Sequence, residues 1–326
     1  MRHSLQRLCL GLALPLGMLP LGSNAESYPT RSIRIINPYP TGLSPDIASR
    51  MLAEQLGKQL QQSFVVENRP GANGFIALNA LKGAAPDGYT IGLVGDAHMV
   101  TNPKLIKETP YDPLGDFDAI SMFFKAPLFF YTAPQGGINT VNDLIKKAKA
   151  DPKAVTYGTP YVGSPAHMAG ALFAHASQTE MLSVHYKEAA QIYTAVANGD
   201  LTFSVATVGS GIPLVKAGKM QMIAAAAKER HPDYPDIPTV QEATGLQQTE
   251  VDTWVGIVAP KGTPAEVVNT LNREIAKALK NPELLARFKT LGLLPYTSSA
   301  QEMRGVIEEE SSATESRLNL LKISLQ

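Results

Sequence analysis

Residues 33–60 read IRIINPYPTGLSPDIASRMLAEQLGKQL, and residues 155–176 read VTYGTPYVGSPAHMAGALFAHA. Each stretch opens with a β-rich run, at 33–36 and 155–157. Each then turns through Pro-Tyr and a glycine, and Ser-Pro leads into an apolar helical pattern. In the first helix Ile47, Met51, Leu52, Leu56 and Leu60 recur on one side, the periodicity of an amphipathic helix. Ser44 and Ser164 are expected as N-caps, with Pro45 and Pro165 at the first helical position. A helix start of this kind has unpaired backbone N–H groups and the positive end of the helix dipole, which suits an anion.

The same strand-then-helix rhythm continues along the chain. Strands are predicted at 64–66, 89–94, 128–132, 182–186, 201–206, 220–226 and 251–258. Helices are predicted at 76–81, 142–149, 189–197, 264–280, 282–290 and 300–321, and residues 67–74, ENRPGANG, read as a loop. Thr263-Pro264-Ala265-Glu266, Ser299 with Glu302 and Thr239 with Glu242 are written as capping boxes. Alternation of this kind predicts an α/β fold with mostly parallel sheets. Open α/β sheets bind ligands beyond the carboxyl ends of their strands, where both Ser-Pro loops sit. If each of two lobes carries one such loop, the pair can clamp one small carboxylate across a cleft.

Composition bounds the function. The chain has 326 residues, 44% of them hydrophobic, enough for two lobes. Its 29 basic and 29 acidic residues give no basic excess, so a nucleic-acid partner is not expected. Residues 1–25 read as a signal peptide. Arg2, His3 and Arg7 form the basic region, 8–21 is an uncharged apolar run, and Ser23-Asn24-Ala25 resembles a cleavage site. The single cysteine, Cys9, lies inside that segment. The mature chain is therefore expected without disulfides, thiolate metal sites or a cysteine nucleophile. It retains 27 basic residues against 29 acidic ones, a net charge of roughly −2. Export without cysteine points to the periplasm.

Catalytic patterns are absent. Gly209-Ser210-Gly211 lacks the spacing of a nucleophile elbow, and no Walker or dinucleotide glycine fingerprint occurs. His98, His167, His175, His185 and His231 never fall at i, i+4, so no zinc helix is written. The only metal candidate is His231-Pro232-Asp233 with Asp236, and a solvated loop is the expected alternative. No cofactor and no metal are expected. His167 either touches ligand or packs locally, and Asp46 serves as a first-turn acid or faces the ligand. Lys187 is the nearest candidate cation, and Trp254 and Phe129 are expected to pack at the lobe crossovers.

Seven blocks in order carry a resemblance. They are VVENRPGANG at 65–74, PDGYTIGLVG at 86–95 followed by TNP at 101–103, PYDPLGDFDAI at 110–120, YGTPYVGSPAHMAG at 157–170, HYKEAA at 185–190, DIPTVQEATG at 236–245 and WVGIVAPKGTP at 254–264. Over essentially all of the mature chain the sequence resembles the Bug-type solute-binding receptors of tripartite tricarboxylate transporters. The resemblance implies a two-lobed periplasmic binding protein with a ligand cleft between lobes, which delivers a small organic acid to membrane permease subunits. Di- and tricarboxylates and aromatic carboxylates are the implied ligands, held by backbone N–H groups and bridging water. The lobes are expected at 26–124 plus 250–326 and at 125–249, in a monomer. The ligand residues are expected to be Tyr39, Thr41, Gly42, Leu43, Ser44 and Asp46 in the first loop, then Gly95, Asp96, Ala97 and His98. Tyr161, Gly163, Ser164 and His167 follow in the second loop, with Ala206 after a later strand.

Four positions depart from the family pattern. Leu43 stands at the second glycine of Phe-Pro-Pro-Gly-Gly-x-x-Asp, where a positive φ would strain a leucine. Glu188 replaces the glycine of Tyr-Lys-Gly. Asp96 replaces a small hydroxyl residue, and Ala206 replaces an acid. For Asp96 three roles are open: capping the short helix near Ala97, which is preferred, standing protonated, or accepting from a donor on the ligand. Two other readings of the whole chain remain. One is an exported carboxylate-processing enzyme using His167 or Asp96 as a base. The other is a receptor domain serving a sensor kinase.

Overall fold

The computed structural model describes residues 28–323 apart from 153, 187 and 252. The signal peptide and Lys187 of the sequence reading lie outside the described residues. Eleven strands and eleven helices are named in chain order here. They are β1 Ile33–Asn37, α1 Ser44–Leu60, β2 Phe64–Asn68, α2 Phe75–Lys82, β3 Thr90–Gly95, α3 Asn102–Leu105, β4 Phe117–Lys125, β5 Leu128–Thr132, α4 Val141–Ala150, β6 Thr156–Thr159 and α5 Pro165–Ala176. There follow β7 Leu182–His185, α6 Ala189–Asn198, β8 Phe203–Thr207, α7 Val208–Lys216, β9 Gln221–Ala225, α8 Val240–Thr244, β10 Trp254–Pro260, α9 Ala265–Ala278, α10 Pro282–Thr290, β11 Leu294–Pro295 and α11 Ala300–Leu321.

The strands form two sheets, ordered β11-β4-β10-β3-β1-β2 and β7-β6-β8-β5-β9. Both are mixed rather than mostly parallel. In the first, β1 pairs in parallel with β2 and β3, while β10 and β11 run antiparallel to their partners. In the second, β6 pairs in parallel with β7 and β8, and β5 is antiparallel to β8 and β9. Of the strands that run against the parallel trios, β5 and β10 enter from the other sheet, and β11 is a two-residue edge strand. Each sheet thus contains a parallel trio, β3-β1-β2 or β8-β6-β7, with the Ser-Pro loop after its central strand. The two similar loops occupy equivalent places in two similar lobes.

Both faces of each sheet are covered. In the buried strand β5, Leu128 and Phe130 face the cluster containing α4 and α5, while Phe129 and Tyr131 face the cluster containing α6 and α7, the period of two expected of a strand. Phe130 is wholly buried between the rings of Phe173 and Phe203. In the first lobe α1, α9 and α10 cover one face and α2 and α11 the other. The chain crosses between lobes at two adjacent points that bond to each other. Ala126 N donates to Thr253 O at 3.0 Å, and the Thr253 hydroxyl donates to Ala126 O. Helix α11 spans both lobes: Met303 and Ile307 pack in the first, and Leu318 joins the core of the second.

The helix starts depart from expectation twice. Leu43, not Ser44, is the N-cap of α1, and its side chain makes no cap hydrogen bond. The N-cap of α9 is Pro264, again without one, because the Thr263 hydroxyl donates to Pro260 O at 2.7 Å instead. Ser164 caps α5 through the His167 amide, and the boxes at Thr239 and Ser299 form as written. The α1 loop is held by Asp46. Its buried carboxylate accepts from Gly42 N at 2.9 Å, Asn68 Nδ2 at 2.8 Å and Arg50 Nε at 3.1 Å. Burial alone would raise its pKa. The bonds from Gly42, Asn68 and Arg50, with the Arg50 charge, more than reverse that and leave it below the usual carboxylate value.

Phe130→Ala is expected to cost about 3–5 kcal/mol in urea unfolding. Val65→Ala, on a side chain 53% exposed, is expected to stay within about 0.5 kcal/mol. Asp46→Ala is expected to cost about 1.5–3 kcal/mol at pH 7, the range for hydrogen bonds to a charged group. Because the folded pKa is depressed, this stabilisation is complete above the ordinary carboxylate value of about 4 and fades as pH falls toward Asp46's own lower value. Unfolding curves of both proteins from pH 7 into acid should therefore converge, and a constant gap contradicts the assignment.

Candidate functional site

Between the two sheets lies a cavity of about 420 Å³. Four helix starts open onto it. Ser44 and Pro45 begin α1, and Ser164, Pro165 and Ala166 begin α5. Ala189 begins α6, and Thr207 with Ser210 begins α7. Two of these starts touch. Ser44 Oγ lies 3.4 Å from Thr207 Oγ1, which lies 3.1 Å from Ser210 Oγ. A methyl group built on Gly209 would fall 2.6 Å from Ser44 Oγ. Two positive dipole ends in contact disfavour one another, and an anion between them relieves the conflict.

The remaining wall is largely apolar and aromatic, from Leu43, Phe124, Leu128, Ile192, Val205 and the rings of Tyr39, Tyr161, Tyr193 and Trp254. Asp96 is the only ionisable acid, and no lysine or arginine is present, among the described residues of the wall.

Eight of the expected ligand residues line this cavity: Tyr39, Leu43, Ser44, Asp96, His98, Tyr161, Ser164 and Ala206. Seven do not: Thr41, Gly42, Asp46, Gly95, Ala97, Gly163 and His167. Thr41 is exposed, and most of the others act one layer back. Gly42 and Gly163 hold φ of 85° and 82° and shape the two loops. A methyl group on Gly163 would also collide with the Leu105 side chain of α3. Asp46 anchors its loop as described. His98 Nδ1 accepts from Gly95 N at 3.1 Å, and His167 Nδ1 accepts from Gly163 N at 3.2 Å, so each histidine braces its own turn. Burial lowers both rings to about 4, with His185 adding to the effect at His167, and both are neutral at pH 7.

Two of the four family departures can be placed. Leu43 has φ −74° and ψ 158°. No positive φ is required there, so leucine is unstrained and contributes apolar wall. Asp96 does not cap the next helical turn. Its own φ and ψ are helical, at −48° and −44°, and it makes no side-chain cap bond, whereas a cap needs extended backbone. Asp96 is instead a half-buried residue of the cavity wall. Burial first, and the Glu310 carboxylate second, push it up to about 8, against the pull of the Ala97, Asp96 and Trp254 amides.

His231 is no solvated loop residue. It is buried, with Nδ1 accepting from Asp233 N at 3.1 Å and Nε2 3.3 Å from Gly292 O. Among the described residues no group of three or more metal-ligating side chains forms. No described helix is long and apolar enough to cross a membrane.

The sequence reading missed part of the wall. Residues 70–74 of the ENRPGANG block line the cavity, with Gly71 and Gly74 at φ 115° and 88°. Its close spacing of proline and glycine was the available signal. Ala189, Tyr193, Thr207, Ser210 and Thr253 are also wall residues, and Trp254 adds a cavity face to its packing role.

Comparison with known proteins agrees with this architecture. A UPF0065 protein of Bordetella bronchiseptica is 30% identical over 308 residues, covering 92% of this chain and 90% of the relative. Protein BugT of Bordetella pertussis is 30% identical over 288 residues, covering 88% of each. An R. palustris protein solved with adipate superposes with a TM-score of 0.86 at 29% identity, covering 91% of this chain and 99% of that one. The periplasmic binding protein BugD superposes with a TM-score of 0.83 at 25% identity, covering 92% and 100%. The sequence profile of the tripartite tricarboxylate transporter family receptor matches residues 48–321, and the chain belongs to that family.

Proposed function

We propose that this chain is a periplasmic receptor that holds the carboxylate of a small organic acid between the helix starts of its two lobes and delivers it to membrane permease subunits. The observation that carries this reading is the convergence of four helix N-termini, from both sheets, on one cavity. The related R. palustris protein solved with adipate supports a carboxylate as the ligand. The lobes comprise 26–124 plus 250–326 and 125–249, with α11 tying them together, and the protein acts as a monomer. It binds without catalysis: Nδ1 of each histidine beside the helix starts accepts from a backbone amide, which leaves the proton on Nε2 and no free lone pair to act as a base. Residues 1–25 direct export and are removed.

A thermal-shift screen of di- and tricarboxylates and aromatic carboxylates tests the binding. At 100 times its Kd a ligand adds about 2.7 kcal/mol. For an acid that binds, Gly163→Ala should weaken affinity at least tenfold, because the methyl group strains a φ of 82° and pushes on Leu105. Ser164→Ala should cost about 1 kcal/mol, the value of a cap. Wild-type affinity in Gly163→Ala removes the loop from the site. Mass spectrometry of the periplasmic protein should place its N-terminus at or near Glu26, and membrane-associated protein retaining Met1 contradicts export with cleavage.

A further inference from the structure

Asp96 is unusual in a cavity built for an anion. It lies at the end of β3, close enough to the Tyr39 and Tyr161 hydroxyls for its charge to act on both. Behind it is a second cavity of about 260 Å³, enclosed by α11 and the start of α5, which Asp96 also lines. Glu310 stands in that second wall and accepts from Trp254 Nε1 at 2.7 Å. Asp96 is therefore a partition between two cavities, with the ligand space in front and, behind it, a wall that carries Glu309 and Glu310 together with Lys125, Lys228 and Arg317.

An acid placed this way is selective. With its pKa pushed up to about 8, Asp96 is largely protonated at pH 7, and a plain carboxylate beside it favours that neutral form further, because like charges disfavour each other's ionised forms. A ligand with an N–H or O–H group presents the opposite polarity to the Asp96 oxygens. Hydrogen bonds to charged or desolvated acceptors are among the stronger ones, and a ligand donor adds to the bonds that the Ala97, Asp96 and Trp254 amides already give this carboxyl. The rest of the wall, from Leu43, Phe124, Ile192 and the tyrosine rings, favours an apolar body between the two polar ends.

We propose that the ligand is an organic acid with an apolar body that also carries an amino or hydroxyl donor, and that the Asp96 carboxyl accepts from this donor while the helix starts hold the carboxylate. The inference rests on the carboxylate reading of the cleft and narrows it.

Calorimetric titration of the mature protein with matched acids tests it. The sets are 3-phenylpropionate, 3-phenyllactate and phenylalanine; phenylacetate, 4-hydroxyphenylacetate and 4-aminophenylacetate; and succinate, malate and aspartate. In at least one set a donor-bearing acid should bind at least tenfold more tightly than its plain parent, with amine and hydroxyl members telling the two donors apart. In Asp96→Ala that ratio should fall to about one while the plain parent binds at least as well as before. Asp96→Leu, which fills the partition rather than emptying it, should do the same and guards against a folding defect in the smaller variant. If plain parents bind as tightly as their donor-bearing partners, or if the preference survives both substitutions, the donor assignment is overturned and the carboxylate reading stands. If no acid of any set binds, both readings fall together.

Discussion

The meeting of the starts of α1 and α7 is the constraint around which the molecule is arranged. Ser44 and Thr207 belong to different lobes, yet their hydroxyls lie 3.4 Å apart. Each marks the positive end of a helix, of 17 and 9 residues respectively. The helix starts carry amides with no partner inside their own helices. Much of the surrounding structure keeps these ends open. Asp46 ties the α1 loop to Asn68 and Arg50, His98 and His167 brace the glycine turns beside it, and Gly209 donates to Leu291 O across the lobe junction. None of these groups needs to touch a ligand in order to set where the ligand's charge must lie.

The duplicated loop is a consequence of topology. Within each lobe a parallel trio presents its central strand's exit loop toward the cleft, β1 in one and β6 in the other. Any strand-to-helix connection at that place delivers a helix start to the same point. Ser-Pro suits it in both, since proline has no N–H to leave unpaired in the first turn. The local outcomes still differ. Ser164 is a true N-cap bonded to the His167 amide, whereas Ser44 is already helical and turns its hydroxyl toward the other lobe. Leu43 takes the cap position in extended conformation and becomes wall.

Most of the fold was legible because its signals are local. The helix at 165–176 and the last two helices match their predicted bounds, since proline, serine and asparagine mark their starts. What escaped depends on tertiary partners. Strand β4 carries Asp118 and Ser121 inside it and reads as irregular, but it is sandwiched between β10 and β11. Helix α7 contains Gly209, Gly211 and Pro213, poor helix formers that read as a loop. It forms where Gly209 meets Leu291 and Gly211 packs on Tyr131. At the site, the loop residues were legible from the paired motif, but the division between wall and brace was not. Gly163 and Ser164 are neighbours in sequence, and only the fold decides that one shapes the turn while the other faces the cavity. Asp96 shows the same limit: its type was conspicuous, and its direction came from a helical φ and ψ that sequence does not write.

The central claim is that backbone amides from both lobes hold one carboxylate. Amide chemical-shift mapping of uniformly labelled protein, titrated with whichever organic acid binds most tightly, tests it most directly. The account predicts the largest saturable shifts at the amides of Ser44, Ala166, Ala189 and Ser210, in the same titration and with one Kd. Shifts confined to one lobe, or centred away from these four helix starts, contradict it.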